Sequence, residues 1–254
     1  MRDADPHNAK VVDQFTRWAE RFSKEPLHAE PDAMQRLLAA VAPQSSSRVL
    51  DVACGPGIVA CALARYAAKV TGVDLTAAML EEAKLRQERE GLTNLTWMQA
   101  DATELPFGDE CFDVVVTRYS FHHMRQPEKA LSEMRRVCRA GGRVVVVDAT
   151  PTTETQLAYD AMETLRDPSH ASALTVAQIR HYAKDLGLKE VAYDFHWLEA
   201  ALEPLADQDR MGALTAVFNA DIESGADLIG VKARRTESGI RFSFPISVFA
   251  WLRD

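Results

Sequence analysis

The sequence predicts an α/β fold: a doubly wound, mostly parallel sheet with helices on both faces, preceded by N-terminal helices and closed by an antiparallel last strand. Three observations predict it. Short apolar strands alternate with helical stretches from residue 48 to residue 148, the order that produces parallel strands joined by crossover helices. The first strand runs directly into a glycine turn, Cys54-Gly-Pro-Gly57. Acids stand in or after the first three strands, at Asp51, Asp74 and Asp101, where open α/β sheets present ligand-binding groups.

In chain order, two amphipathic helices are predicted at 9–22 and 32–41, followed by a polar loop at 43–47. Arg48 to Ala53 is a buried strand, Ile58 to Tyr66 a helix and Lys69 to Asp74 a second strand. Thr76 is suited to cap a helix over 77–90, and Gly91 to end it in a left-handed turn. Strands follow at 95–100 and 112–117. Pro127 opens a helix that runs to about Cys138, and Gly141-Gly142 turns the chain into a fifth strand at 143–148. Helices are expected at 152–165 and 175–186, the second closed by Gly187, then a strand at 189–197 and a mixed segment at 199–223 that includes a small helical insertion. Two strands, 227–232 and 240–251, flank the turn Glu237-Ser238-Gly239, and the last enters the sheet antiparallel. No internal repeat or long linker divides the chain, so a single domain over 1–254 is expected: helical lid 1–43, cofactor-binding core 48–150 and acceptor-side elements 151–254.

Composition narrows the function. The 254 residues are 47% hydrophobic and 26% charged, with a formal net charge of -8, so a basic footprint for nucleic acid is missing. The basic pairs Arg135-Arg136 and Arg234-Arg235 read as solvated surface pairs. No apolar run approaches the roughly 20 residues that cross a bilayer, and MRDADPHNAK has no apolar leader core. The four cysteines, Cys54, Cys61, Cys111 and Cys138, match no zinc spacing and lie in apolar segments, as reduced core thiols would. A cytoplasmic protein acting on a small molecule is expected, without nucleic-acid or membrane partners, and with a homodimer as one option.

The glycine turn lets backbone approach a ligand with no Cβ in the way. It is not the dinucleotide fingerprint, because Ala60 replaces the third glycine, and no Gly-Lys-Ser/Thr follows to make a P-loop. Asp51 beside the turn suits a cationic ligand better than a pyrophosphate. Asp74, at the second strand's end, can accept both hydroxyls of a ribose, and Asp101 can accept from an adenine amino group. Taken singly, each acid also fits a structural role: a turn cap or an acid near a helix N-terminus.

Five motifs between 48 and 147 carry a family resemblance: Asp51-Val-Ala-Cys-Gly-Pro-Gly57, Gly72-Val-Asp-Leu75, Gln99-Ala-Asp-Ala-Thr-Glu-Leu-Pro-Phe107, Cys111-Phe-Asp-Val-Val115 and Arg139-Ala-Gly-Gly-Arg143. The chain thereby resembles the class I methyltransferases that use S-adenosylmethionine (SAM), in particular the UbiE-like, type 11 group. The resemblance implies a Rossmann-like seven-stranded sheet and SAM as cofactor, leaving S-adenosylhomocysteine (SAH). It implies that Asp51, Ala53, Gly55 and Gly57 hold the methionine end, that Asp74 holds the ribose and Asp101 with Ala102 the adenine, that Leu75 and Met79 pack on the adenosine, and that Arg118 also contacts the cofactor. The stretch Leu165-Arg-Asp-Pro-Ser-His170 with Leu174-Thr175 is similar to uncharacterised UbiE-like bacterial proteins. After strand four, where quinone-directed members carry Asn-Val, this chain reads Arg118-Tyr-Ser-Phe-His-His-Met124, so a quinone acceptor is not implied.

In such a fold that segment faces the transferred methyl. Tyr119, His122 and His123 are therefore candidate acceptor contacts. A histidine with pKa near 6.5 can take a proton from an attacking O, N or C nucleophile at neutral pH, and His123, His170 and Tyr119 are the catalytic candidates. Each histidine also has a structural reading, packing a helix end or bonding a carbonyl. Phe15 and Phe22 are expected to face inward from the lid. No carboxylate stands at metal-ligand spacing from the histidines, so no metal is expected. Two rival functions remain open: a SAM-binding protein without methyl transfer, such as a cyclisation catalyst or regulatory subunit, and a nicotinamide-dependent oxidoreductase, against which the missing third glycine counts.

Overall fold

A computed structural model describes residues 5–254; the first four residues of the expected lid segment lie outside the described part. The chain runs α1 (Pro6–Lys24), α2 (Pro31–Val41), β1 (Arg48–Val52), α3 (Ile58–Ala64), β2 (Lys69–Asp74), α4 (Ala77–Glu90), β3 (Leu95–Gln99), β4 (Phe112–Arg118), α5 (Pro127–Val137), β5 (Cys138–Ala149), α6 (Gln156–Arg166), α7 (Val176–Asp185), β6 (Leu188–Ala201), α8 (Gln208–Ser224), β7 (Arg234–Thr236) and β8 (Gly239–Arg253). Short 3₁₀ turns lie at Pro26–Ala29, Phe121–His123 and Glu203–Leu205.

The strands form one sheet in the order β3-β2-β1-β4-β5-β8-β6, with β7 as a hairpin partner of β8. The first five strands pair in parallel, and β8 inserts antiparallel between β5 and β6. The path is thus seven-stranded, as expected, with β7 added beside it. Strand order reverses between β1 and β4, which opens a crevice beyond their carboxyl ends.

The period of two along each strand builds both faces. Val49, Val114, Val116, Val145, Val147, Val248 and Ala250 share one core with α2, α3, α6 and α8. Their neighbours Leu50, Val115, Val144, Val146, Phe249 and Trp251 share the other with α5 and α7. The run of four valines at 144–147 is a strand buried on both faces, which explains its lack of polar alternation.

The carboxyl-terminal third differs in detail from expectation. Residues 227–232 form a tight turn rather than a strand. Asp227 and Lys232 take positive φ, and the Asp227 carboxylate accepts from the N–H groups of Val231 and Lys232. Those bonds curl the segment that its apolar residues would otherwise extend. The mixed segment resolves into the end of β6, a 3₁₀ turn and the seventeen-residue α8. Thr76 occupies the N-cap of α4 but makes no side-chain capping bond.

Trp97 of β3 fixes how α3 and α4 sit on the sheet. A Cβ added at Gly72 would stand 2.4 Å from its ring and 2.9 Å from Cys54 Sγ. Its Nε1 donates to Gln87 Oε1 of α4 at 2.6 Å. Gly72→Ala is expected to destabilise the fold by about 1–3 kcal/mol through overpacking, read as a lowered denaturant midpoint.

Candidate active site

The β1–α3 turn is built from left-handed residues: φ is 53° at Ala53, 51° at Gly55 and 75° at Gly57. Its two glycines have different reasons. A Cβ at Gly55 would meet nothing within 4 Å, so open space lies beside the turn where a ligand can come close to backbone. A Cβ at Gly57 would stand 2.7 Å from Trp97 and 2.9 Å from Ala83, so this glycine lets α3, α4 and β3 pack.

Asp74, at the end of β2, ties the turn down. Its Oδ2 accepts from Gly55 N and its Oδ1 from Thr76 N, both at 2.8 Å. Burial raises its pKa against those bonds. A carboxylate has about four acceptor positions, so two used by backbone leave capacity for a ligand hydroxyl. Asp51 is buried at the end of β1, and its Oδ2 has no partner. Burial pushes its pKa up to about 7 against the charge of Arg118, with Asp74 raising it further. Arg118, ending the neighbouring β4, donates from Nη2 to the His28 carbonyl at 2.6 Å, and its Nη1 is buried without a partner. A carboxylate oxygen and a guanidinium nitrogen thus lie buried and unsatisfied, among the described residues, on adjacent strands. That donor set fits a zwitterion, an ammonium for Asp51 and a carboxylate for Arg118.

On the far side of β2, Asp101 Oδ1 accepts from Thr103 N and Oγ1. Its Oδ2 accepts from Asn8 Nδ2 of α1 at 2.9 Å, so an amide N–H stands at the acid expected to receive an adenine amino group. Leu75 is half-buried in the β2–α4 loop, Met79 is buried in the first turn of α4, and Ala102 packs partly buried beside Asp101.

A partly open cavity lies beyond β4 and β5. Its walls include Phe15, Trp18 and Phe22 of α1, Tyr119, Tyr159 of α6, Leu198 of β6 and Phe244 of β8. Phe15 and Phe22 thus line it, and Phe15 meets the His123 ring edge-on at 4.9 Å. Tyr119 has φ 56°, a strained conformation for an aromatic residue and one that collects at functional sites. Its Oη is buried without a partner among the described residues, and burial raises its pKa to about 12, so it is a neutral hydrogen-bond donor.

The histidines separate. His122 Nδ1 bonds Asp148 Oδ1 at 2.5 Å, and the ring lines the cavity. Asp148 is buried at the end of β5 and also accepts from the N–H groups of Ser120, Phe121 and Ala149. Burial works against the charge on His122, but the Asp148 carboxylate outweighs it and raises the pKa. His123 also lines the cavity. Burial and its neighbour His122 lower its pKa to about 3, so it is neutral and weakly basic. His170 is not among the cavity residues: its Nε2 bonds Asp160 Oδ1 at 2.7 Å, and it borders a separate groove with His7 and Lys10.

Several cavity residues carried no sequence signal. His28 stacks on Phe22 at 3.7 Å, and burial lowers its pKa to about 3. Glu163 and Arg166 form a buried two-point ion pair on α6. Asp148 did carry a signal: it is a fourth acid at a strand end, after the valine run.

The profile described as "Methyltransferase domain" matches residues 50–146, which hold the glycine turn and all three expected cofactor acids. The uncharacterized methyltransferase YcgJ of Bacillus subtilis is 32% identical over 181 residues, 70% of this chain and 72% of that protein. In the crystal structure of B. subtilis YcgJ the fold superposes with a TM-score of 0.78 at 24% identity, covering 88% of this chain and 99% of that one. The ubiquinone/menaquinone biosynthesis C-methyltransferase UbiE of Zymomonas mobilis is 37% identical over 112 residues, 44% of this chain and only 46% of UbiE. The chain belongs to the SAM-dependent methyltransferase family. SAM is the cofactor of that family.

Proposed function

We propose that this chain transfers the methyl group of SAM to a small, largely apolar acceptor carrying an ionisable hydroxyl. The observation that carries this reading is the His122–Asp148 pair on the wall of an aromatic-lined cavity. SAM supplies a methyl on a cationic sulfonium, already activated for transfer. Asp51 and Arg118 would hold its ammonium and carboxylate, Asp74 its ribose, and Asp101 its adenine in exchange for Asn8. Gly55 leaves room for the cofactor, while Leu75, Met79 and Ala102 border the adenosine.

The rest is alignment and proton removal. Phe15, Phe22, Leu198 and Phe244 exclude water and orient the acceptor, which can supply several orders of magnitude. Tyr119 Oη donates to the acceptor oxygen. His122, held by Asp148 through Nδ1, keeps Nε2 to take the hydroxyl proton, and Asp148 stabilises the resulting imidazolium. His123 packs against the acceptor in its neutral form. His170 supports the loop behind His123 through Asp160 and does not touch the acceptor.

Incubating the full chain with methyl-labelled SAM and a panel of small phenols and enols tests this. Label in one acceptor, with an equal yield of SAH, is the expected result. SAM binding with no label transfer to any hydroxyl compound would favour the non-transferring reading. Asp74→Ala is expected to weaken SAM binding about 10- to 100-fold, the loss of one charge-assisted bond, measured calorimetrically on a variant with unchanged circular dichroism.

A further inference from the structure

We infer that a second copy of this chain docks on the free edge of β6, related by a two-fold axis at Phe195. Among the described residues, β6 ends the sheet and pairs only with β8. It is fourteen residues long, and a long unpaired edge is a template for another strand. Natural edges are blunted by charge, cover or bulges; here the bulge between Glu190 and Ala192 lies toward one end, Lys232 Nζ stands 3.9 Å over the Trp197 ring, and the middle of the strand still carries an exposed row. Tyr193, Phe195 and Trp197 are 40%, 38% and 39% exposed and follow at every second position, hence on one face. Phe195 and Trp197 already meet edge-on at 5.3 Å.

The strand is complementary to itself in antiparallel register. With Phe195 opposite the partner's Phe195, each Tyr193 falls opposite a Trp197, which gives three aromatic cross-strand pairs on one face. On the other face each Asp194 falls opposite a His196. Both ring nitrogens of His196 are buried and unpartnered among the described residues, and this pairing brings beside them the Asp194 carboxylate, whose Oδ2 also accepts from Arg36 Nη1 of its own chain at 2.6 Å. Beyond the centre, Leu198 meets Ala192, and the regular register ends at the bulge between Glu190 and Ala192, so no like charges oppose within it. A second copy is the occupant because a patch that pairs with itself about one residue is what an isologous two-fold contact requires. Phe195 N is capped within the chain by Asp194 Oδ1 at 2.9 Å, a bond that docking exchanges for a strand bond.

Sedimentation velocity on the full chain across a concentration series is the test, with Phe195→Asp and Phe195→Cys variants. The expected results are a concentration-dependent dimer for the wild type, a monomer of unchanged circular dichroism for Phe195→Asp, and a disulfide-linked dimer on mild oxidation for Phe195→Cys but not for the wild type. A wild type that stays monomeric up to its solubility limit overturns the inference. So does a folded Phe195→Asp variant that dimerises as the wild type does. Should Phe195→Asp fail to fold, Phe195→Cys decides: absence of the cross-link overturns the inference.

Discussion

His122→Gln is expected to lower turnover by about 10²- to 10⁴-fold, the usual contribution of a general base, while SAM affinity stays near the wild-type value. Glutamine can still bond Asp148, so the buried carboxylate keeps a partner and the fold should persist. The pH profile separates a base from a packing residue. A base works in its neutral form, and Asp148 raises the His122 pKa above its ordinary value. Wild-type turnover should therefore rise with pH and level off above that raised pKa, and the variant should lose this rise. His123→Ala provides the contrast. Its pKa of about 3 leaves it neutral throughout the working range, so its loss should change acceptor KM more than the pH profile. If the pH-dependent deficit follows His123 instead, the two roles are exchanged.

Asp51→Asn is expected to weaken SAM about 10- to 100-fold through loss of one charge-assisted bond, and also to remove a pH dependence. Burial holds the wild-type carboxyl near pKa 7 in the ligand-free chain. Below that pH it is neutral, and binding an ammonium requires it to release a proton. Wild-type affinity should therefore fall about tenfold per pH unit well below neutrality and level off above it. Asparagine cannot titrate, so its affinity should stay flat over the same range. An unchanged wild-type affinity at acid pH would remove Asp51 from the ammonium site.

The proposed cofactor half of the site can be read from the sequence because its information is local. Asp51, the turn to Gly57, Asp74 and Asp101 each sit within a few residues of a strand end, and strand ends can be read from hydrophobic period. The two glycines show the limit of such reading. Both belong to one motif, yet Gly55 faces open space while Gly57 answers to Trp97, forty residues away, which only the parallel pairing of β2 with β3 brings near. The proposed acceptor cavity was less legible for the same reason. Leu198 and Phe244 meet across the β6–β8 pairing, and Tyr159 and Arg166 reach the cavity through helix packing that no short window encodes. The ordering of the histidines was set by Asp148, twenty-six residues beyond His122. The same strand-end rule that singled out Asp51 would have found that acid, but its partner depends on the 3₁₀ turn at Phe121–His123. The misplaced strand at 227–232 failed for a local reason, since Asp227 bonds its own following backbone and overrides the apolar pattern.

Calorimetric titration of the full chain with SAM, SAH and NADH, in two buffers of different ionisation heat just below neutral pH, tests the central claim most directly. One site for SAM and SAH with micromolar or tighter affinity, a buffer-dependent heat from the Asp51 proton and no heat with NADH are expected. Heat with NADH alone, or none with either SAM or SAH, would contradict that claim.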